Sequence, residues 1–262
     1  MKKLLIISIM IGLCIAAFAD RKALVIANYS YDKVTLSSPK ADADSMALAL
    51  KKLNFKVKRL DNCKLAVINA YVDSLAQKIL PEDEIIFYYS GHGVSTPTTN
   101  YLVPAFTNLG AEQDLSKTAY SVSTLAQKLR TAKTSIIILE ASRNWQPTGA
   151  KAIAKPFISQ SSVSGKQVII SSASPNAVVQ NSALSRSVFT DAFIRLSRNS
   201  EDNFNVLFPK VVAEVKSKTA NNQVPWISGT LSSEFKFVTG EVKLYWRNMR
   251  LRGIEGGGSI SW

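Results

Sequence analysis

Short apolar runs alternate with amphipathic segments along most of this chain. Runs rich in isoleucine, valine, leucine and aromatic residues are typical of strands covered on both faces, and they occupy residues 22–27, 84–90, 135–140 and 166–171. Weaker alternating patterns predict further strands at 55–60 and 234–238. Apolar residues at helical spacing predict helices at 41–53, 64–80, 122–133, 187–196 and 204–218. This succession of strands and helices predicts an α/β domain with a mostly parallel central sheet flanked by helices.

Two of the predicted strands end in residues that are suited to chemistry. The run at 84–90 leads into Gly91-His92-Gly93, which contains the only histidine of the chain. The run at 135–140 leads into Glu140-Ala-Ser-Arg-Asn144. A lone histidine after a strand is more often a packed or solvated side chain than a catalyst. Because the carboxyl ends of neighbouring parallel strands form one crevice, however, the sequence predicts that His92 and Ser142 face a common site.

The N-terminus has the three parts of a secretory signal. Lys2 and Lys3 precede an apolar run at 4–16, and Ala17 and Ala19 form a small-x-small cleavage site. We therefore predict a signal peptide over 1–19, and a mature protein that is exported to the periplasm or secreted. The apolar run is short for a membrane span, and no later segment approaches the required length.

Removal of this signal would leave a single cysteine. Cys14 lies within the signal, where the bulky Leu13 before it makes lipid anchoring the minor alternative. Cys63 then has no partner for an internal disulfide. It lies just before a helical pattern, and we interpret it as a structural residue at a helix start rather than as a nucleophile.

Charge and composition exclude several classes of function. The formal net charge is +13 and the isoelectric point about 9.7, but the basic residues are scattered along the chain. No helix-turn-helix, zinc or aromatic-basic motif is present, so the charge favours an acidic surface as neighbour over a specific nucleic-acid site. The sequence contains neither a metal-binding Cys/His cluster nor a phosphate loop, and we predict no metal and no cofactor. It does not indicate an oligomeric state.

An ordered set of short motifs resembles the caspase-like peptidases, in their metacaspase or orthocaspase form. The motifs follow one another from about residue 21 to 238: Ala23-Leu-Val-Ile-Ala-Asn28, Pro39-Lys-Ala-Asp-Ala43, Tyr89-Ser-Gly-His-Gly93, Leu139-Glu-Ala-Ser-Arg-Asn144, Ser172-Ala-Ser-Pro175, Ser187-Val-Phe-Thr190, Gln223-Val-Pro-Trp226 and Phe235-Lys-Phe237. Each motif alone is weak, but their order is specific. The resemblance implies a caspase-like three-layer sandwich.

The resemblance also implies roles for individual residues. His92 takes the place of the family's general acid and base, and Ser142 stands where the family has its nucleophilic cysteine. The backbone amide of Gly93, with that of the nucleophile, would form the oxyanion hole. In members that cut after basic residues, the positions of Asp42, Ser90 and Glu140 line the pocket for an arginine or lysine side chain; Glu140 replaces a more usual aspartate.

The same resemblance divides the chain into parts. The caspase-like domain would cover 20–238, with a large-subunit-like part to about 144, a linker at 145–165 and a small-subunit-like part at 166–238. A basic, glycine-rich tail follows at 239–262. Lys151 and Lys155 in the linker would be candidate self-processing sites if the pocket were active, although solvated loop lysines are the simpler interpretation.

Serine at position 142 leaves three interpretations of function open. A thiol with a pKa near ~8.5 reacts as a thiolate, whereas an alcohol needs a closely placed and oriented base. The first interpretation is a pseudo-peptidase that binds a peptide or protein in the old active-site groove without cutting it. The second is a working endopeptidase that uses His92 with Ser142 and cuts after basic residues. The third is a structural interaction domain that binds through its surface.

Overall fold

The structure is a computed structural model that describes residues 19–32, 34–96, 98–108, 114–141, 165–174, 186–232 and 234–239. Its strands, in chain order, are β1 Arg21–Ala27, β2 Ser30–Tyr31, β3 Val34–Thr35, β4 Lys56–Asp61, β5 Glu84–Ser90, β6 Gly93–Ser95, β7 Asn100–Leu102, β8 Tyr120–Ser121, β9 Thr134–Glu140, β10 Gln167–Ser171 and β11 Trp226–Thr230. Its helices are α1 Ser38–Lys52, α2 Leu65–Ala76, α3 Leu115–Thr118, α4 Val122–Leu129, α5 Val188–Asn199 and α6 Phe204–Lys218.

The centre of the fold is a six-stranded sheet in the order β11-β10-β9-β5-β1-β4. All neighbouring strands in it run parallel except β11, which is antiparallel to β10. The apolar stretch from Ile85 to Tyr89 in β5 is fully buried, because β1 and β9 cover its edges and helices cover its faces. Full burial of each such side chain contributes roughly 1.5–3 kcal/mol, which explains why this run occupies the middle of the sheet.

Alternate residues of the strands face two separate hydrophobic cores. In β5, Ile86 and Tyr88 pack in one core, together with apolar residues of α1, α5 and α6. Ile85, Phe87 and Tyr89 face the other core, which contains apolar residues of α2 and α4. The result is a central sheet between two helical layers, and the predicted α/β sandwich with a mostly parallel sheet is confirmed.

A small antiparallel sheet adjoins the carboxyl end of β5. Its strand order is β6-β7-β8, and β6 begins at Gly93, directly after the histidine. Val94 and Val103 are buried in a third, smaller cluster that also contains Tyr31. The chain after the histidine is thus part of regular structure and not an open loop.

The prediction of a strand at 234–238 is wrong. The described residues of that segment make only one isolated bridge, between Asn203 and Lys236. Phe235 and Phe237 are buried in the core next to α5 and α6, so the alternation reflects the packing of two aromatic rings and not a strand ladder. The last strand of the sheet is instead β11, whose Trp226 and Gly229 gave no clear strand pattern.

Other predicted elements are present with shifted ends. Helix α1 begins before its predicted start, with Pro39 in its first turn, where proline is well tolerated. Helix α2 ends at Ala76, several residues before the predicted end. Within the part of the chain that the structure describes, no helix combines the length and the apolar character needed to cross a bilayer.

Candidate functional site

His92 lies two residues beyond the carboxyl end of β5 and is almost fully buried, with 4% of its surface exposed. Gly91 before it is packed too tightly for any larger residue. A Cβ atom there would lie 2.6 Å from the hydroxyl of Tyr89, 2.8 Å from the carbonyl oxygen of Asn28 and 2.8 Å from the hydroxyl of Tyr31. The glycine is therefore required for close approach of the backbone to these groups.

Two tyrosines hold the backbone of the histidine. The amide of His92 donates a hydrogen bond to Tyr31 Oη at 2.9 Å, and the two rings meet edge to face with centroids 4.7 Å apart. Tyr89 Oη lies 3.1 Å from the His92 carbonyl oxygen and 2.7 Å from that of Val103. The Val103 amide in turn donates to the His92 carbonyl oxygen at 3.0 Å. Both backbone groups of the histidine are thus bonded.

The carboxyl end of β9 lies directly beside this segment. Ser90 and Glu140 are paired in the register of β5 and β9, so positions 92 and 142 follow their strands at the same offset. The amide of Gly93 donates to the carbonyl oxygen of Ala141 at 3.0 Å. Ser142 itself lies outside the described residues. The predicted oxyanion donor, Gly93, is thus already engaged by the residue that precedes Ser142.

The three residues predicted to line a pocket for a basic side chain come together in the structure. Asp42, Ser90 and Glu140 are all fully buried. The Ser90 hydroxyl donates to Asp42 Oδ2 at 3.2 Å. Asp42 Oδ1 accepts from the backbone amide of Ser187 at 2.7 Å, and Glu140 Oε2 accepts from the Ser187 hydroxyl at 2.8 Å. Two buried carboxylates therefore bond to the same serine.

These carboxylates come from different elements. Asp42 belongs to α1, Glu140 ends β9, and Ser187 is the N-cap of α5, where its hydroxyl also accepts from the Thr190 amide at 3.3 Å. Thr190 Oγ1 lies 3.5 Å from Glu140 Oε2 and 2.7 Å from the hydroxyl of Tyr88. Buried negative charge is costly unless it is hydrogen-bonded or paired, and in this cluster Asp42 and Glu140 each accept a hydrogen bond from the start of α5.

The sequence did not predict the contacts of several of these residues. Ser187 and Thr190 fit the N-cap pattern of a helix, but nothing in the spacing indicated that they bond to Glu140. Tyr31 and Tyr89 lie in the strands β2 and β5, where tyrosine is common. Their contact with His92 depends on the tertiary fold and on the absence of a side chain at Gly91.

Cys63 is not arranged as a nucleophile. It is buried, and its carbonyl oxygen accepts from the side chain of Asn28 at 3.2 Å. Burial raises the pKa of its thiol to about 11, because the charged thiolate would lose its hydration. The cysteine lies two residues before α2, which agrees with the structural role that we expected.

The remaining sequence predictions lie largely outside the described residues. This applies to the signal peptide up to residue 18, to Lys151 and Lys155 in the linker, and to the tail from 240 onward. Among the residues that the structure describes, no group of three or more histidine, cysteine, aspartate or glutamate side chains is placed to hold a metal ion.

Comparison with solved structures shows the same architecture in other proteins. Protein GSU0716 from Geobacter sulfurreducens superposes with a TM-score of 0.61 at 15% sequence identity, over 84% of this chain and 97% of its own. Caspase-1 from Spodoptera frugiperda gives a TM-score of 0.61 at 17% identity, over 84% of this chain and 90% of its own. Identities this low show the fold alone.

The sequence comparisons identify the family. No curated protein sequence matches the chain significantly. The family model described as the caspase domain, peptidase C14, matches residues 20–236. Since this match spans most of the chain, including every strand of the central sheet, the protein belongs to the caspase domain family.

Proposed function

We propose that this protein is an exported pseudo-peptidase whose groove, at the carboxyl ends of β5 and β9, binds a peptide or protein segment without cutting it. The observation that carries this proposal is the serine at position 142, two residues after β9, where the family has its cysteine. The signal-like sequence at 1–19 supports export. The ligand is an extended segment that carries an arginine or lysine side chain.

Two features argue against hydrolysis. A serine hydroxyl attacks a peptide carbonyl only when a base is held against it and oriented by a third group. In addition, the Gly93 amide, the expected donor to the oxyanion, is bonded to Ala141 at 3.0 Å. An oxyanion could use this donor only after that bond opened, so part of the expected transition-state stabilisation is missing in this state.

The acidic cluster, which consists of Asp42, Ser90 and Glu140, supports the preference for a basic side chain. Asp42 and Glu140 are both fully buried and both bond to Ser187. A guanidinium or ammonium group complements two such carboxylates, and hydrogen bonds between charged groups are about twice as strong as neutral ones. Because the carboxylates are buried in this state, the ligand must displace protein atoms to reach them. We therefore expect binding to be coupled to opening of the cluster.

One observation favours active endopeptidase function as the second candidate. The backbone of His92 is held on both sides, through Tyr31 Oη and the Val103 amide, and Gly91 lies where a Cβ atom would clash with its neighbours. A binding groove alone does not require so exact a placement of an imidazole. In this alternative His92 activates Ser142, and the acidic cluster selects substrates for cleavage after arginine or lysine.

Fluorescence anisotropy with labelled peptides tests the binding proposal. We expect peptides with a central arginine or lysine to bind more tightly than the same peptide with aspartate. Asp42→Asn should weaken binding of the arginine peptide by at least about tenfold, since the substitution removes one buried carboxylate. Asp44→Asn is the matched control, because Asp44 lies on the same helix but is about half exposed and pairs with Lys40. Equal affinity for the arginine and aspartate peptides would contradict the proposal.

A further inference from the structure

The residue that precedes β1 is hydrogen-bonded to a buried carboxylate. The backbone nitrogen of Asp20 donates to Asp83 Oδ1 at 2.9 Å, and the side chain of Asp83 is fully buried. The carbonyl oxygen of Asp20 accepts from the Glu84 amide at 2.9 Å, so both backbone groups of Asp20 are fixed to the segment that leads into β5. Ala19, one residue earlier, is exposed.

The two oxygens of Asp83 have different partners. Oδ2 accepts from the Leu80 amide at 2.8 Å and from Lys22 Nζ at 2.5 Å, while Oδ1 accepts from the Asp20 nitrogen. Burial alone would raise the pKa of this carboxyl, but the bonds from Leu80, Lys22 and Asp20 outweigh burial and hold the pKa below its ordinary value. Asp83 is therefore an anion at neutral pH, and Oδ1 faces the start of the domain.

We propose that Asp83 is a binding site for the α-ammonium group that is created when the peptide bond between Ala19 and Asp20 is hydrolysed. Water adds across that bond, so that Ala19 keeps the new carboxylate and Asp20 the new amine, which takes up a proton at neutral pH. A neutral amide that donates to Oδ1 is thereby replaced by a cation at the same position. Since charge-assisted hydrogen bonds are about twice as strong as neutral ones, removal of the signal stabilises the mature domain.

This inference rests on the export part of the proposed function and not on peptide binding. It requires that residues 1–19 are removed, but it makes no use of His92, Ser142 or the acidic cluster. The first described strand begins at Arg21, so a chain of residues 20–262 contains every described element of the fold.

The charged groups around the new ammonium group define its expected pH dependence. Lys22 lies 3.7 Å and Lys56 2.6 Å from the carboxylate of Asp20, and Arg21 pairs with Glu84 at 2.7 Å. The buried carboxylate is the partner in direct contact, so the α-amine should have a pKa above its ordinary value of about 7.7–8.0 in the folded state. A raised folded pKa gives stabilisation that is complete below the unfolded pKa and is lost as pH rises through the folded pKa.

Thermal unfolding of two chains that differ by one residue tests the proposal. One begins at Asp20, released from a fusion without extra residues, and the matched control begins at Ala19, whose amine is exposed. We expect the chain that begins at Asp20 to melt about 2–6 °C higher at pH 6.5, and the difference to disappear near pH 11. Asp83→Asn should abolish the difference. Equal melting temperatures at pH 6.5, or an unchanged difference in the Asp83→Asn pair, would overturn the proposal.

A second measurement does not depend on a substitution. In the native chain that begins at Asp20, acylation of the α-amine at pH 7.5 should be slower by about tenfold or more than in the chain that begins at Ala19, because a bonded and protonated amine is a poor nucleophile. Equal rates would contradict a bound ammonium group. Sequencing the N-terminus of the protein exported by its host then tests the cut itself: Asp20 as first residue supports it, and any other start overturns it. None of these readouts changes if the peptide-binding proposal fails.

Discussion

Two tyrosine hydroxyl groups determine where the histidine of the candidate site lies. Tyr31 Oη accepts from the His92 amide at 2.9 Å and is 3.3 Å from Tyr89 Oη, which in turn lies 3.1 Å from the His92 carbonyl oxygen. There is no room for a Cβ atom at Gly91 between them. At the scale of single residues, the imidazole is therefore placed by its backbone, through Tyr89 within the motif around it and Tyr31 outside that motif.

We expect Tyr31→Phe to disturb this placement. The variant removes the acceptor of the His92 amide while keeping the ring, and should lower the free energy of unfolding by about 1–2 kcal/mol. It should also shift the imidazole proton signals in NMR spectra, which are simple to follow because the chain has one histidine.

Tyr120→Phe is the matched control for that experiment. The Tyr120 hydroxyl is buried and has no hydrogen-bond partner among the described residues, so its removal should change stability by less than about 0.5 kcal/mol. If both variants behaved alike and the imidazole signals stayed unchanged in Tyr31→Phe, the proposed positioning role of Tyr31 would be wrong.

Cys63 should be nearly inert in the folded protein. Burial raises the pKa of its thiol to about 11, so at pH 8 the native thiolate population falls by a factor on the order of 100 relative to the unfolded chain. In the chain 20–262 it is the sole cysteine, and alkylation followed by mass spectrometry should show slow labelling that accelerates on unfolding in urea.

The same shift predicts a dependence of stability on pH. Because the folded pKa is raised, the contribution of Cys63 is complete below the ordinary thiol pKa of about 8.5 and is lost as the pH rises toward about 11. Native labelling as fast as labelling of the unfolded chain would instead identify a reactive thiol.

At the scale of secondary structure, the start of α5 connects helix α1 and strand β9, which carry the two acidic residues of the site. Ser187 caps this helix through the Thr190 amide, and it also donates to Asp42 with its backbone and to Glu140 with its hydroxyl. One side chain thus serves both the helix and the buried carboxylate. The position of α5 and the state of the acidic cluster are consequently coupled.

Ser187→Ala should cost more than the loss of an ordinary N-cap. Removal of a cap costs about 1 kcal/mol, and a buried carboxylate that loses a donor adds about 1–3 kcal/mol. Urea unfolding should therefore show a loss of about 2–4 kcal/mol. Ser121→Ala is matched to it, because Ser121 caps α4 with the same 3.3 Å bond, to the Thr124 amide, and has no carboxylate partner among its described contacts. Equal losses in the two variants would contradict the coupling.

Sequence patterns predicted the elements that are buried because their own residues are apolar. The apolar runs of β5 and β9 can be satisfied only in the interior, so their place in the sheet followed from the residues themselves. Strand β11 contains Ser228 and Gly229 and is half-exposed at an edge, and its pairing with β10 depends on the rest of the sheet. The local sequence therefore did not predict this strand.

The residues of the candidate site divide in the same way, into those that the sequence indicated and those that it did not. His92 and the residues of the acidic cluster lie at strand ends and in motifs, where residue type and position together carry information. The roles of Tyr31 and Ser187 depend on contacts between segments far apart in the chain, such as the bond from Ser187 to Asp42. No periodicity or spacing encodes such contacts.

At the scale of the whole molecule, one arginine at the first strand fixes the other end of the domain. Arg21 donates to the carbonyl oxygens of Leu53, Phe237 and Lys236 at 2.6–2.9 Å, and it pairs with Glu84 at 2.7 Å. It thereby holds the segment after β11, which packs two phenylalanine rings into the core.

Arg21→Lys should destabilise the protein by about 2–4 kcal/mol, because a single ammonium group cannot replace a planar guanidinium group bonded to several acceptors. Arg59→Lys is the control, since Arg59 pairs with the exposed carboxylates of Asp44 and Asp61 and should cost less than about 1 kcal/mol. Chemical denaturation followed by tryptophan fluorescence measures both. A similar small loss in both variants would show that the Arg21 contacts contribute little.

The most direct test of the proposed function is peptide hydrolysis by the purified chain 20–262. The assay uses fluorogenic peptides with arginine, lysine or aspartate before the cleaved bond, and compares the native protein with Ser142→Cys and Ser142→Ala. We predict no hydrolysis by the native protein or by Ser142→Ala, and cleavage after arginine or lysine in Ser142→Cys if the thiol alone is missing. Hydrolysis by the native protein that disappears in Ser142→Ala would contradict the pseudo-peptidase and establish a serine-dependent peptidase.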